Sequence, residues 1–126
     1  MTENELSKIV FDSGTRVHKI LGPGLLENAY EECLFYELQK QRLSVEKQKA
    51  LPLIYEEVKL DAGYRVDLLV ERKLVVEIKS VEALNDIHLA QVLTYLKLSN
   101  CKLGLLINVN TVLFKNGVKR VIYGQL

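Results

Sequence analysis

The chain is predicted to be an α/β protein with a mixed central β-sheet flanked by helices and a C-terminal β-hairpin. Amphipathic helical patterns cover residues 4–20, 25–41 and about 84–98. Between and after them lie short runs rich in β-branched and aliphatic residues, which are typical of strands. The segments follow the order helix, helix, strand, hairpin, helix, strand, hairpin, which indicates helices layered on a sheet.

The composition is that of a globular protein. The 126 residues are 48% hydrophobic and 26% charged, so we expect one domain spanning residues 1–126. No apolar run approaches the ~20 residues of a membrane span. The acidic start, Met1 to Glu5, does not resemble a secretory signal, and Cys33 and Cys101 are expected to be free thiols. These features favour a cytoplasmic protein without membrane contact.

The formal net charge is +1. Proteins that hold duplex DNA mainly through its phosphates are usually basic, so this balance argues against a strong general DNA binder. It is still compatible with a local basic rim beside an acidic metal site.

The two N-terminal helices are separated by Gly22-Pro23-Gly24, the clearest break in the sequence. In the first helix, Arg16, His18 and Lys19 are expected on a solvated face. In the second, Glu27 lies near the N-terminus, where a carboxylate complements the helix dipole. The same explanation, or ordinary surface exposure, is expected to account for Glu31.

The segment Val45–Tyr55 is predicted to be one strand, disturbed near Pro52. Proline has no N–H to donate to a neighbouring strand, so this should be an edge strand or carry a bulge. Lys47 and Lys49 lie two residues apart and are expected on one face, where they would touch phosphates or protect the edge. Residues 56–63 are expected to form the turn into the next hairpin.

The central hairpin has arms Arg65–Val70 and Leu74–Lys79. A three-residue loop between them would pair Val70 with Leu74 and place Asp67 opposite Glu77, with Cβ atoms about 5 Å apart. A register shift of one residue would instead set Asp67 against Ile78.

Charged residues inside this hairpin need a partner. Glu77 and Lys79 share one face, while an ionised group in a buried strand is costly unless it is paired or binds a metal. Two facing carboxylates repel each other unless a cation lies between them. The pattern therefore indicates either a divalent-cation site or a semi-buried ion pair.

The third helix carries His88, Gln91 and Tyr95 along one stripe. Gln91 is either a satisfied core amide or a group that orients the attacked phosphate or the lysine. His88 is expected to be a structural residue near the helix start, with Asn85 or Ser80 as the cap.

The last segments are strands. The continuous apolar run of residues 103–108 predicts a central strand reached by a parallel crossover. Residues 112–114 and 118–123 flank Asn116-Gly117, a strong hairpin signal, and are predicted to pair with each other.

Three motifs carry a family resemblance. Asp67, followed by Glu77-Ile78-Lys79 on the next strand, resembles the D…(D/E)-x-K signature of the PD-(D/E)XK nuclease superfamily, with Val66 in place of the usual proline. Residues 24–30 resemble the G-x-x-E-x-x-Y motif of a family of small bacterial proteins in that superfamily. Residues 88–96 resemble the Q-x-x-x-Y helix of its RecB-like branch.

The resemblance implies a restriction-endonuclease-like αβββαβ core and a set of site residues. It implies that Glu27, Asp67, Glu77 and the main chain of Ile78 hold Mg²⁺ or Mn²⁺, which prefer oxygen ligands. It implies catalytic roles for Lys79, Gln91 and Tyr95. Contacts with nucleic acid are expected from Lys47, Lys49 and Tyr30. Tyr30 is also expected to be a packing residue on the core stripe of the second helix, with its hydroxyl bracing the site. A homodimer is expected by analogy only.

The implied activity is metal-dependent hydrolysis of phosphodiester bonds in DNA or RNA. The alternative is a nuclease-fold module without turnover that binds nucleic acid or a protein partner. A simple ion pair is disfavoured, because it needs two residues, whereas the pattern contains five, namely Glu27, Asp67, Glu77, Lys79 and Gln91.

Overall fold

The computed structural model describes residues 1–126, apart from the side chain of Ala62. The helices are α1 (Glu3–Leu21), α2 (Glu27–Lys40) and α3 (Asp86–Ser99), with a short 3-10 helix at Phe114–Gly117. The strands are β1 (Val45–Tyr55), β2 (Val58–Val70), β3 (Leu74–Lys79), β4 (Leu103–Asn108) and β5 (Val118–Ile122). None of the helices in the described residues has the length and apolar character needed to cross a bilayer.

The five strands form one sheet in the order β1-β2-β3-β4-β5. Strands β3 and β4 are parallel, and the other neighbours are antiparallel, so the predicted mixed sheet is confirmed. The α3 segment between β3 and β4 provides the crossover that a parallel pair requires.

Two apolar layers cover the sheet. On one face, α1 and α2 pack against strand residues such as Leu68, Val76 and Leu105. On the other face, α3 packs against Leu69 and Val75. Because both faces are covered, β3 and β4 are almost entirely buried, as expected for a parallel pair inside an α/β sandwich.

The central hairpin has the predicted register. Val70 pairs with Leu74, and Leu68 pairs with Val76. The same count brings Asp67 opposite Glu77, at the point where regular pairing of the two strands ends. The short turn at residues 71–73 therefore positions the two acids, because each residue of loop length changes which side chains face each other.

Strand β1 lies at the sheet edge, and its register with β2 shifts between Leu51 and Leu53, around Pro52. Both predictions about this strand are confirmed. The predicted turn at residues 56–63 is wrong, because β2 already begins at Val58 and only Glu56-Glu57 turns. The turn was expected because Asp61 and Gly63 are residue types that favour turns, but pairing of β2 with β1 overrides this local preference.

The C-terminal hairpin has a different first arm from the predicted one. Residues 112–114 form no strand, and Phe114–Gly117 forms a 3-10 helix. Strand β5 pairs antiparallel with β4, so β4 takes the place of the expected arm. The ring of Phe114 is buried against α1, which removes this segment from the sheet.

His18 is buried, so its predicted solvated position is wrong. Its Nε2 lies 2.6 Å from the carbonyl oxygen of Thr111, and its ring packs near Tyr30 and Phe114. His18 therefore ties α1 to the segment after β4. The helical pattern alone could not show this, because the partner lies 93 residues away in the chain.

Candidate active site

Asp67 and Glu77 each accept a hydrogen bond from the backbone of the opposite strand. The Asp67 amide donates to Glu77 Oε1 at 2.9 Å, and the Ile78 amide donates to Asp67 Oδ2 at 2.8 Å. These bonds lie just beyond the last regular pair of β2 and β3. The strands therefore diverge at this point, and the two carboxylates occupy the fork between them.

Glu77 is buried, with 4% of its surface exposed. Burial, followed by the nearby Asp67 carboxylate, raises the pKa of Glu77 from 4.5 to about 8. Lys79 and the hydrogen bond from the Asp67 amide act in the opposite direction but do not offset burial. Glu77 thus carries a carboxyl group whose negative charge has too little compensation within the protein.

Glu31 was missed by the sequence analysis and belongs to the same region. It is 7% exposed, and the Gln48 side-chain amide donates to its Oε1 at 2.7 Å. Burial is the main reason why the pKa of Glu31 is raised, and Asp67 adds to the shift. A signal existed, because Leu34 and Leu38 follow Glu31 at three and seven residues, which places it on the buried stripe of α2.

Gln48 was also missed. Its Nε2 donates to Asp67 Oδ1 at 3.1 Å as well as to Glu31, so it connects α2 with β2. No feature of the sequence singled it out. It lies in β1, far along the chain from both acids, and only the pairing of β1 with β2 brings it to Asp67.

Glu27 lies at the mouth of a cleft of about 510 Å³ that Glu31, Gln48, Asp67 and Ser80 also line. Its Oε1 accepts a hydrogen bond from the Ser80 amide at 2.8 Å, and the side chain is exposed. The structure therefore brings Glu27 to the same cleft as Asp67 and anchors it at the end of β3. A direct role at a metal stays a prediction.

Lys79 and Gln91 lie together beside the fork. Lys79 Nζ donates to Gln91 Oε1 at 3.3 Å, so α3 holds the lysine side chain in place. Tyr95 is buried and packs edge-on against Tyr64, with 6.2 Å between ring centroids. Burial, followed by the nearby Glu77, raises the pKa of Tyr95 to about 12. This position favours support beneath the carboxylates over direct contact with a substrate.

Of the three residues expected to touch nucleic acid, Tyr30 is excluded by its burial, whereas Lys47 and Lys49 lie near the surface and form ion pairs. Tyr30 is fully buried, and its hydroxyl donates to the Gly14 carbonyl at 2.8 Å, so it joins α2 to α1 and cannot meet a nucleic acid. Lys47 pairs with Glu32 at 2.8 Å, and Lys49 pairs with Glu46 at 2.9 Å.

The two lysines also do not share one face of β1. Lys47 reaches α2, where its Nζ also lies 4.5 Å from the centroid of the Phe35 ring. Lys49 meets Glu46, which precedes Lys47 and so points away from it. The left-handed backbone of Gln48, with φ 49°, interrupts the regular alternation between them.

The donor atoms suit a hard divalent cation. Among the described residues, no three His, Cys, Asp or Glu side chains converge closely enough to hold a metal. Mg²⁺ does not require three, because it accepts one or two carboxylates and completes its shell with water. The ion pairs of the described residues include none with Glu31, Asp67 or Glu77, so three acids share a region without a paired cation. By donor chemistry and charge, these residues fit a divalent cation.

His88 has the structural position expected for it. Asn85 caps α3, because its Oδ1 accepts a hydrogen bond from the backbone N–H of His88 at 3.0 Å. In return, His88 Nδ1 accepts from the backbone N–H of Asn85 at 3.1 Å. This reciprocal pair satisfies two N–H groups at the start of the helix. Both side-chain contacts are local to the helix end, so His88 is not part of the carboxylate cluster.

Comparison with known families agrees with this arrangement. The model of the PD-(D/E)XK nuclease superfamily matches residues 4–121, which is nearly the whole chain. No curated protein and no solved structure matches the chain. The mixed sheet, the D…E-x-K residues on adjacent strands and this match lead to one conclusion, that the chain belongs to the PD-(D/E)XK nuclease superfamily.

Proposed function

We propose that the protein is a metal-dependent nuclease that hydrolyses phosphodiester bonds in DNA or RNA. The observation that carries the proposal is the fork of Asp67 and Glu77, in which a buried carboxylate faces a second one and neither has an ion-pair partner among the described residues. A purely structural role is disfavoured, because an uncompensated buried acid lowers stability. The finer assignment to the GxxExxY family remains a prediction from residues 24–30.

In this proposal the carboxylates of Asp67 and Glu77 hold Mg²⁺ or Mn²⁺, and the Ile78 carbonyl adds a ligand. The bound ion would supply Lewis acidity and a water of lowered pKa. Glu27, tied to the end of β3 through Ser80, would orient water at the mouth of the cleft.

Lys79 has a separate task. Its ammonium is held by Gln91 rather than by a carboxylate within ion-pair distance, so its charge remains free to attract a phosphate oxygen. Positive charge placed where negative charge develops lowers the barrier of phosphoryl transfer. Gln91 positions this lysine, and Tyr95 closes the apolar layer beneath it.

The alternative function is a nuclease-fold module that binds nucleic acid or protein without turnover. The net charge of +1 and the pairing of Lys47 and Lys49 with acids favour weak binding of nucleic acid at most. The two functions differ in whether a bound metal leads to cleavage.

The test is calorimetric titration with Mg²⁺ and Mn²⁺ of the wild type and Asp67→Asn, followed by cleavage assays on single-stranded, duplex and branched substrates. We expect the wild type to bind metal and cleave, and Asp67→Asn to lose both. Glu82→Gln, an exposed change, serves as the control. Metal binding without cleavage of any substrate would favour the alternative, and absence of metal binding would refute the proposal.

A further inference from the structure

Gln48 has a backbone conformation that glutamine seldom adopts. Its φ is 49°, in the left-handed region, although it lies inside strand β1. On either side the strand pairs normally with β2, through Lys47 with Leu68 and Lys49 with Val66. A left-handed residue inside an edge strand turns its side chain away from the usual alternation, and such local strain is often found at functional sites.

The side chain of Gln48 meets two acids at once. Its Nε2 lies 2.7 Å from Glu31 Oε1 and 3.1 Å from Asp67 Oδ1, so the two amide hydrogens serve two carboxylates. The backbone carbonyl of Gln48 accepts from Arg65 Nη1 at 3.4 Å, which adds a tie to β2. Gln48 therefore spans α2, β1 and β2 at the edge of the cleft.

We propose that Gln48 is a positioning residue that fixes the Glu31 and Asp67 carboxylates relative to each other for a divalent cation. This inference rests on the proposed metal site and adds a residue from β1 to it. Carboxylates that bind metals are commonly oriented by hydrogen bonds from neighbouring groups, and loss of such a partner typically costs 10–100-fold in affinity.

An amide suits this task better than a cation. A lysine or arginine between Glu31 and Asp67 would neutralise them and compete with the metal. The amide orders both carboxylates while leaving their negative charges available. The neighbouring Lys47 and Lys49 form ion pairs with Glu32 and Glu46, and neither pairs with Glu31 or Asp67.

The first test uses the metal-free protein. In ¹H–¹⁵N spectra of the wild type in EDTA, the two Gln48 side-chain amide protons should exchange slowly with water, and their signals should shift in the Glu31→Ala variant. Exchange as fast as that of a solvated glutamine would overturn the bridging role. This readout requires no metal, so it separates failure of the inference from failure of the proposed function.

The second test compares Mn²⁺ affinity by calorimetry in the wild type and Gln48→Gly. Glycine accepts the left-handed backbone, so the variant removes the side chain without adding strain. Glu56→Gly is the matched control, since Glu56 also has a left-handed φ of 55° but lies in the β1–β2 turn. We expect Mn²⁺ affinity to fall about 10–100-fold in Gln48→Gly alone.

An affinity of Gln48→Gly within twofold of the wild type would overturn the inference. An equal loss of affinity in Glu56→Gly would also overturn it, because the effect would then come from a general loosening of the β1–β2 pair and not from the Gln48 side chain. Absence of Mn²⁺ binding by the wild type would overturn the metal site itself, and a protected Gln48 amide signal would still support the bridge between the two carboxylates.

Discussion

Replacing Glu77 with glutamine should stabilise the metal-free protein at neutral pH. Glutamine has nearly the same size and keeps an oxygen that can accept the bond from the Asp67 amide. It removes only the charge, which burial and the Asp67 carboxylate make unfavourable. The substitution therefore isolates the electrostatic cost of the site from its packing.

The magnitude follows from the pKa. The pKa of Glu77 rises from 4.5 to about 8 on folding, so the folded state binds this proton more tightly than the unfolded chain. The resulting stability is fully present below about pH 4.5 and is lost as the pH rises through 8. A pH of 7 lies about 2.5 units above the unfolded pKa of 4.5. The free energy of unfolding at pH 7 is therefore about 3 kcal/mol lower than it would be below pH 4.5.

The assay is urea unfolding in EDTA at pH 5, 7 and 8, with Glu82→Gln as an exposed control. Glu77→Gln should exceed the wild type by up to about 3 kcal/mol at pH 7, or on the order of 10 °C in melting temperature. The gap should shrink toward zero near pH 4.5, because below this pH the Glu77 carboxyl is protonated in the unfolded chain as well as in the folded protein.

The same variant should lose stabilisation by metal. A ligand at 100 times its Kd stabilises the folded state by about 2.7 kcal/mol, and Glu77→Gln should gain much less from Mg²⁺ than the wild type. A variant that is less stable than the wild type at pH 8, or a gap that does not change with pH, would refute the electrostatic account of Glu77.

Two further predictions concern the support of the fold. Tyr30→Phe removes the hydrogen bond to the Gly14 carbonyl and should lower the free energy of unfolding in urea by about 1 kcal/mol. The affinity for Mn²⁺ should not change, and a large loss of affinity would show that Tyr30 contributes to the metal site. Gly117→Ala places a Cβ against the backbone carbonyl of Asn108 and should cost about 1–3 kcal/mol. Gly24→Ala meets open space and is its control, so equal losses in thermal unfolding would contradict the steric explanation.

Much of the hairpin could be predicted from local sequence. The arms on either side of residues 71–73 are strongly apolar, and a three-residue loop between them predicted the observed pairing of Val70 with Leu74 over the alternative shifted by one residue. The disturbance at Pro52 followed equally from the missing N–H of proline. Such features depend on residues close together in the chain.

The missed residues depend on distant contacts. Helical spacing places Glu31 on the buried stripe of α2, but its contact with Gln48, which also reaches Asp67, depends on the tertiary structure. His18 was assigned to a solvated face because its partner, the Thr111 carbonyl, lies on a distant segment of the chain. Charge and helical spacing do not reveal which element will cover a residue.

The sequence by itself predicted the mixed α/β class and, for a three-residue loop, the register that places Asp67 opposite Glu77, because loop length and strand alternation act locally. The tertiary structure decided that the strands diverge at these acids and that Lys79 meets Gln91 of α3. The tertiary structure alone decided that Glu31 joins the acids and that Gln48 connects them. It also decided that β5 pairs with β4, since such choices arise from the free energy of packing among segments far apart in the chain.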